Sequence, residues 1–160
     1  MASGRTPSRT PSAARRVKLP EPYQFFVDRS LGREIVVGAL RAAGETVHAH
    51  DDHFDQATPD TDWLVAVGKR GWVVLTKDKH IRINHLELRA IVDAGVAAFM
   101  LGRGDLSAVK MAQVFQAAMP SIRRVLRRFD VPLAASLSAG GQVRVLLAGG
   151  KWLEPPRDVK

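Results

Sequence analysis

Four acidic residues and one hydroxyl stand where the edge of a sheet could gather them: Asp28, Asp62, Asp78 and Glu87, with Thr76 two residues before Asp78. Asp28 follows at once on the run Tyr23-Gln24-Phe25-Phe26-Val27, and Asp78 closes Trp72-Val73-Val74-Leu75-Thr76-Lys77. Short apolar runs rich in β-branched and aromatic residues read as strands buried on both faces. In open parallel sheets ligands bind beyond the carboxyl ends of the strands, so both strands would deliver an acid to one edge. Two carboxylates about 4 Å apart repel by roughly 4 kcal/mol at an effective dielectric of 20, and three or four together therefore call for bound cations. Oxygen ligands of this kind select Mg²⁺ or Mn²⁺ over Zn²⁺. Such ions can orient a water for in-line attack on a phosphodiester. Taken singly, each acid has a plainer reading: Asp60 and Asp62 would cap a helix start, Asp28 and Glu87 would do the same, and Asp78 would be a turn residue.

The elements that must position these groups follow from periodicity and punctuation. Strands are expected over 23–27, 46–50, 72–76 and 96–101, and helices over 32–43, 60–70 and 86–94. A polar loop is expected over 51–58. A further amphipathic helix over 106–119 either kinks at Pro120 or gives way there to a new helix reaching 129. Two short strands, 133–138 and 142–147, flank Ala139-Gly140-Gly141 and read as a hairpin. Strands alternating with helices predict an α/β fold, a parallel sheet in a Rossmann-like three-layer arrangement, closed by a carboxyl-terminal hairpin.

The 160 residues fit one domain over 20–148, with tails at 1–19 and 149–160. The net charge of +8 is uneven: Arg5, Arg9, Arg15, Arg16 and Lys18 put +5 into residues 1–19, which hold no acid, and leave +3 for the rest. That amino-terminal stretch has almost no large apolar side chains and is expected to be disordered. The basic balance suggests a polyanionic partner, most simply nucleic acid. The absence of cysteine excludes disulfides and thiolate metal sites and fits a reducing cytoplasm. No membrane span and no signal peptide are expected.

Other constellations compete. His48-Ala49-His50-Asp51-Asp52-His53 spells a zinc-hydrolase string in which His48, His50, Asp52 and His53 would be ligands. The residues that follow, Phe54-Asp55-Gln56, and the strand–helix alternation do not suit the two-sheet sandwich that carries such strings. No Gly-x-Ser-x-Gly turn supports serine catalysis, and no Gly-x-Gly-x-x-Gly follows the first strand to hold a dinucleotide. Lys77, Lys79 and Arg82 flank Asp78, where cations would draw a phosphate backbone inward. Arg123 and Arg127 share one helix face and could contact phosphates or an acidic partner segment, or simply be solvated.

Three segments carry a resemblance: Phe26-Val27-Asp28-Arg29-Ser30-Leu31-Gly32, Asp62-Trp63, and the stretch from Gly71 to Lys79 with its Thr76-Lys77-Asp78. Together they resemble the PIN-like nucleases, and among these the small VapC-type toxins of toxin–antitoxin pairs, in a compact branch with short spacing from Asp28 to Asp62. The resemblance implies a metal-dependent endoribonuclease leaving a 5′-phosphate and a 3′-hydroxyl, with an antitoxin partner and a possible homodimer. It implies that Asp28, Asp62 and Asp78 hold the metal and that Thr76 orients the site. Glu87 is the choice for a fourth acid, with Asp60 and Asp105 behind it. A non-catalytic module of the same fold, binding RNA or protein through basic surfaces, is the alternative.

Overall fold

Phe25 and Phe26 are adjacent in sequence, lie on opposite faces of one strand, and are both 0% exposed. A strand can bury successive residues in this way only if packed layers cover both faces of its sheet. That strand is β1 (Gln24–Val27) of a seven-stranded sheet, in a computed structural model that describes residues 18–32, 34–77, 85–102 and 105–153, with backbone alone at 85–87. A 3-10 turn (Arg29–Leu31) leads to α1 (Ile35–Ala42), β2 (Thr46–Ala49) and the single helical turn α2 (His50–His53). Then come α3 (Asp60–Arg70), β3 (Val73–Lys77), α4 (His85–Ala94), β4 (Ala97–Leu101), α5 (Ala108–Arg128) and β5 (Leu133–Leu137). Strands β6 (Val143–Ala148) and β7 (Lys151–Trp152) end the described chain.

The strand order is β2-β1-β3-β4-β5-β6-β7. The first five strands pair in parallel and the last two add antiparallel. From β1 the chain moves outward to β2 and then crosses back to lay β3 on the other side of β1. The carboxyl edge between β1 and β3 is therefore a topological switch point, where the connections part and leave a crevice.

Alternation along the strands divides the core into two layers. Phe25, Val27, Leu75 and Phe99 meet Val36 and Leu40 of α1 and Phe115 and Ile122 of α5 on one face. Phe26, Val74 and Ala98 meet Trp63 and Val67 of α3 and Leu88 and Ile91 of α4 on the other. Each large side chain buried in this way contributes about 1.5–3 kcal/mol. Helix α3 stops because Gly71 takes a left-handed φ of 71°. Its N–H then bonds Gly68 O, and the N–H of Trp72 bonds Val67 O, which turns the chain into β3.

The α/β expectation agrees with this architecture, and four local differences have physical reasons. A single helix passes through Pro120, which is exposed, as is residue 116, whose carbonyl loses its helical N–H partner there. The start of the polar stretch after β2 winds into α2, seated by the buried His50. Leu19 packs against the core and Lys18 pairs with Asp130 at 3.0 Å, so these two residues join the packed body. The sheet also continues beyond residue 148, because β7 pairs with β6. Most of the amino-terminal tail (1–17) and the last residues (154–160) lie outside the described residues. Among the described residues no helix is long and apolar enough to cross a membrane.

Candidate active site at the carboxyl edge of the sheet

Asp28 is the first residue beyond β1, and its N–H donates to Leu75 O at 3.0 Å, extending the pairing with β3 by one step. That register sets its side chain beside Thr76. Thr76 Oγ1 donates to Asp28 Oδ2 at 2.7 Å, and Ser30 Oγ donates to the same oxygen at 2.9 Å. Ser30 Oγ also accepts the N–H of Lys77 at 3.1 Å, tying the turn after β1 to the end of β3. The two hydroxyls lie 3.2 Å apart, and with both protons turned to the carboxylate their mutual contact is left without one. Asp28 is 4% exposed, one of two buried polar or charged residues among those described. Its Oδ1 has no hydrogen-bond partner among the described residues.

Beside Asp28 lies a cavity of about 250 Å³ walled by Asp28, Arg29, Ser30, His50, Gln56, Thr58 and Asp60. Every wall residue is polar. Asp60 stands at the start of α3, where the positive end of the helix favours a carboxylate, and its Oδ1 accepts Trp63 Nε1 at 2.9 Å. Asp62, two residues on, is rotated about 200° around the helix; it is exposed and is not part of the cavity wall. His50, the other buried polar residue, sets Nδ1 3.0 Å from Asp51 Oδ1. The Arg29 guanidinium reaches that same oxygen at 3.1 Å.

The remaining expected site residues scatter. Lys77 ends β3, half-buried, next to this cluster. Asp78, Lys79 and Arg82 lie outside the described residues, as does the side chain of Glu87. Asp105 follows β4, is exposed, and is absent from the cavity wall. Arg123 and Arg127 ride on the last turns of α5, which returns from the carboxyl edge to the amino edge of the sheet. There Arg123 pairs with Glu45, just before β2, and Arg127 pairs with Glu21, before β1, at 3.2 Å. Both arginines thus sit across the molecule from Asp28, joined to acids of the same chain.

The histidine string divides as well. His48 stacks on Trp72 with ring centroids 3.7 Å apart and bonds Gln24 Oε1 at 2.9 Å. Its pKa is held down by burial first, then by His53, Arg41 and Arg70. His53 meets the same two rings edge-on, whereas His50 faces the Asp28 cavity. Asp52 is exposed and lies 4.0 Å from Arg41. Among the described residues, no three His, Asp or Glu side chains gather as a metal cluster.

Arg29, Ser30, Gln56 and Thr58 carried no site expectation, and His50 carried one only as a zinc ligand. Ser30 had a signal: a hydroxyl two residues after a strand-end acid can turn back to that acid. The wall offers the Asp28 and Asp60 carboxylates, the Ser30 and Thr58 hydroxyls, the Gln56 amide and one imidazole, His50. A hard divalent cation suits the oxygen groups, and a single imidazole does not make a zinc-type thiolate or imidazole centre.

The sequence matches the family described as PIN like domain over residues 23–103. It is also 34% identical over 126 residues to a protein of Mycobacterium tuberculosis named "Putative ribonuclease VapC45", covering 76% of this chain and 91% of that relative. No solved structure matches. With a buried strand-end aspartate at the switch point and matches of this extent, the chain belongs to the PIN-like domain family and is of the VapC type.

Proposed function

We propose that the protein is a metal-dependent endoribonuclease that hydrolyses RNA phosphodiesters to a 5′-phosphate and a 3′-hydroxyl. The observation that carries this reading is Asp28: a buried carboxylate whose Oδ2 is held by two hydroxyls while Oδ1 is left for a ligand, at the edge of an all-polar cavity. Asp28 and Asp60, with Asp78 where the chain leaves β3, would hold Mg²⁺ or Mn²⁺. Such an ion supplies charge that offsets the negative charge developing on the scissile phosphate and activates water. Thr76 and Ser30 fix the rotamer of Asp28. Lys77, beside the cavity, would draw the phosphate backbone in, while Arg29 is held by Asp51. Glu87, Lys79 and Arg82, which follow Asp78 in the sequence, are further candidates, and Asp62 ranks behind Asp60. Arg123 and Arg127 are better read as structural, since their charges are met at the opposite edge.

Cleavage of a labelled single-stranded RNA by the full chain, with and without EDTA, tests this. Asp28→Asn should slow cutting at least about a hundredfold. Mn²⁺ should raise the melting temperature of the parent and not of that variant. Equal rates for parent and Asp28→Asn would sink the catalytic assignment and leave a binding module.

A toxin role, an antitoxin partner, a homodimer and a cytoplasmic site of action rest on the likeness to the VapC relative. Growth arrest on expression, relieved by a co-expressed neighbouring gene and absent for Asp28→Asn, is the corresponding test.

A further inference from the structure

One wall of the cavity has no part in the chemistry above: the imidazole of His50. It is 3% exposed and shares the cavity with Asp28, Ser30 and Asp60. Phe26, Phe54 and Trp63 hold the ring, with centroids 6.0, 5.7 and 5.8 Å away, so it cannot swing out without opening that aromatic packing. Nδ1 faces Asp51 Oδ1 at 3.0 Å, and Arg29 anchors the same oxygen. A carboxylate oxygen only accepts, so Nδ1 carries the proton of the neutral ring and Nε2 is left a bare acceptor. Among the described residues nothing bonds Nε2. A buried imidazole in the wall of a polar cavity, oriented by a carboxylate at Nδ1 and with Nε2 unbonded, is arranged as a proton acceptor.

We propose that His50 is the general base of the hydrolysis; this rests on the nuclease reading above. As the oxygen of the attacking water bonds to phosphorus, the water's proton passes to His50 Nε2 and the bond from phosphorus to O3′ breaks. Asp51 offsets the charge of the imidazolium and Arg29 keeps Asp51 in place. O3′ takes a proton from solvent, and His50 returns its own to bulk water, so one water is consumed for each bond cut.

The test compares the parent, His50→Asn, His50→Ala and Asp28→Asn, all full-length, on one RNA oligonucleotide in Mn²⁺. The asparagine amide can replace Nδ1 as donor to Asp51 and puts nothing at Nε2. His50→Asn should lower kcat about a hundredfold with KM little changed, and added imidazole should restore part of the rate of His50→Ala. Independently of activity, nitrogen NMR of the metal-free parent should find the His50 proton on Nδ1 at neutral pH. A parental kcat in His50→Asn while Asp28→Asn is dead would overturn the inference and leave the nuclease standing. A proton found on Nε2 would overturn it too, even if neither histidine variant folds. A parent that cuts no RNA removes both readings together.

Discussion

Thr76 Oγ1 donates to Asp28 Oδ2 at 2.7 Å although 48 residues separate the two in the chain. Parallel pairing of Val27 with Leu75 places the next residue of each strand side by side. A hydrogen bond to a charged group contributes about 1.5–3 kcal/mol. Thr76→Val keeps the shape and removes the donor, so the unfolding free energy from urea titration should fall by an amount in that range and RNA cleavage should slow. Thr76→Ser, which keeps the hydroxyl, should lose little of either.

Asp60 and Asp62 separate by geometry. Asp60 walls the cavity beside Asp28 and accepts the Trp63 indole, while Asp62 faces solvent. Asp60→Asn should weaken Mn²⁺ binding, read by calorimetry, and slow cleavage about tenfold or more, each tenfold being about 1.4 kcal/mol of barrier. Asp62→Asn should stay within about twofold of the parent, as surface changes generally do. The reverse order would assign the metal to Asp62.

Helix α3 packs tightly against the end of α4 at Gly68, where a Cβ would lie 2.2 Å from the carbonyl oxygen of Ala94. Backbone cannot yield as a side chain can. Gly68→Ala should therefore destabilise the fold by about 1–3 kcal/mol, against the usual gain from replacing a helical glycine. A urea titration in which Gly68→Ala matches or exceeds the parent would show that the helices can part freely.

His48 makes stability depend on pH. Its folded pKa lies below the ordinary 6.5, through burial and the nearby His53, Arg41 and Arg70. The unfolded chain therefore binds this proton more readily than the folded one. The contribution is fully present above pH 6.5 and is lost as pH falls through the folded value. Urea midpoints should decline from about pH 7 to about pH 5. His48→Phe keeps a ring on Trp72 and should make that decline shallower.

The order of strands and helices was legible because each strand is a short apolar run and each helix has one apolar stripe. Asp28 and Thr76 could be placed from the same signal, as residues at the ends of two buried strands. Three things could not be read this way. Which of Asp60 and Asp62 meets the cavity depends on how α3 is rotated, and its docking through Trp63, Leu64 and Val67 decides that. Arg123 and Arg127 share a helix face at any orientation, but the length and direction of α5 carry them to the far edge of the sheet. His48 and His50 are two residues apart, yet the end of β2 lies between them and sends one to a Trp72 stack and the other to the Asp28 cavity.

By itself, then, the sequence determined that acids end two buried strands of a parallel α/β fold, since hydrophobic periodicity and strand-ending polar residues are local properties of the chain. Only the tertiary structure decided which side chains share the cavity with Asp28. That choice depends on helix rotation and strand register, which are set by packing between residues dozens of positions apart.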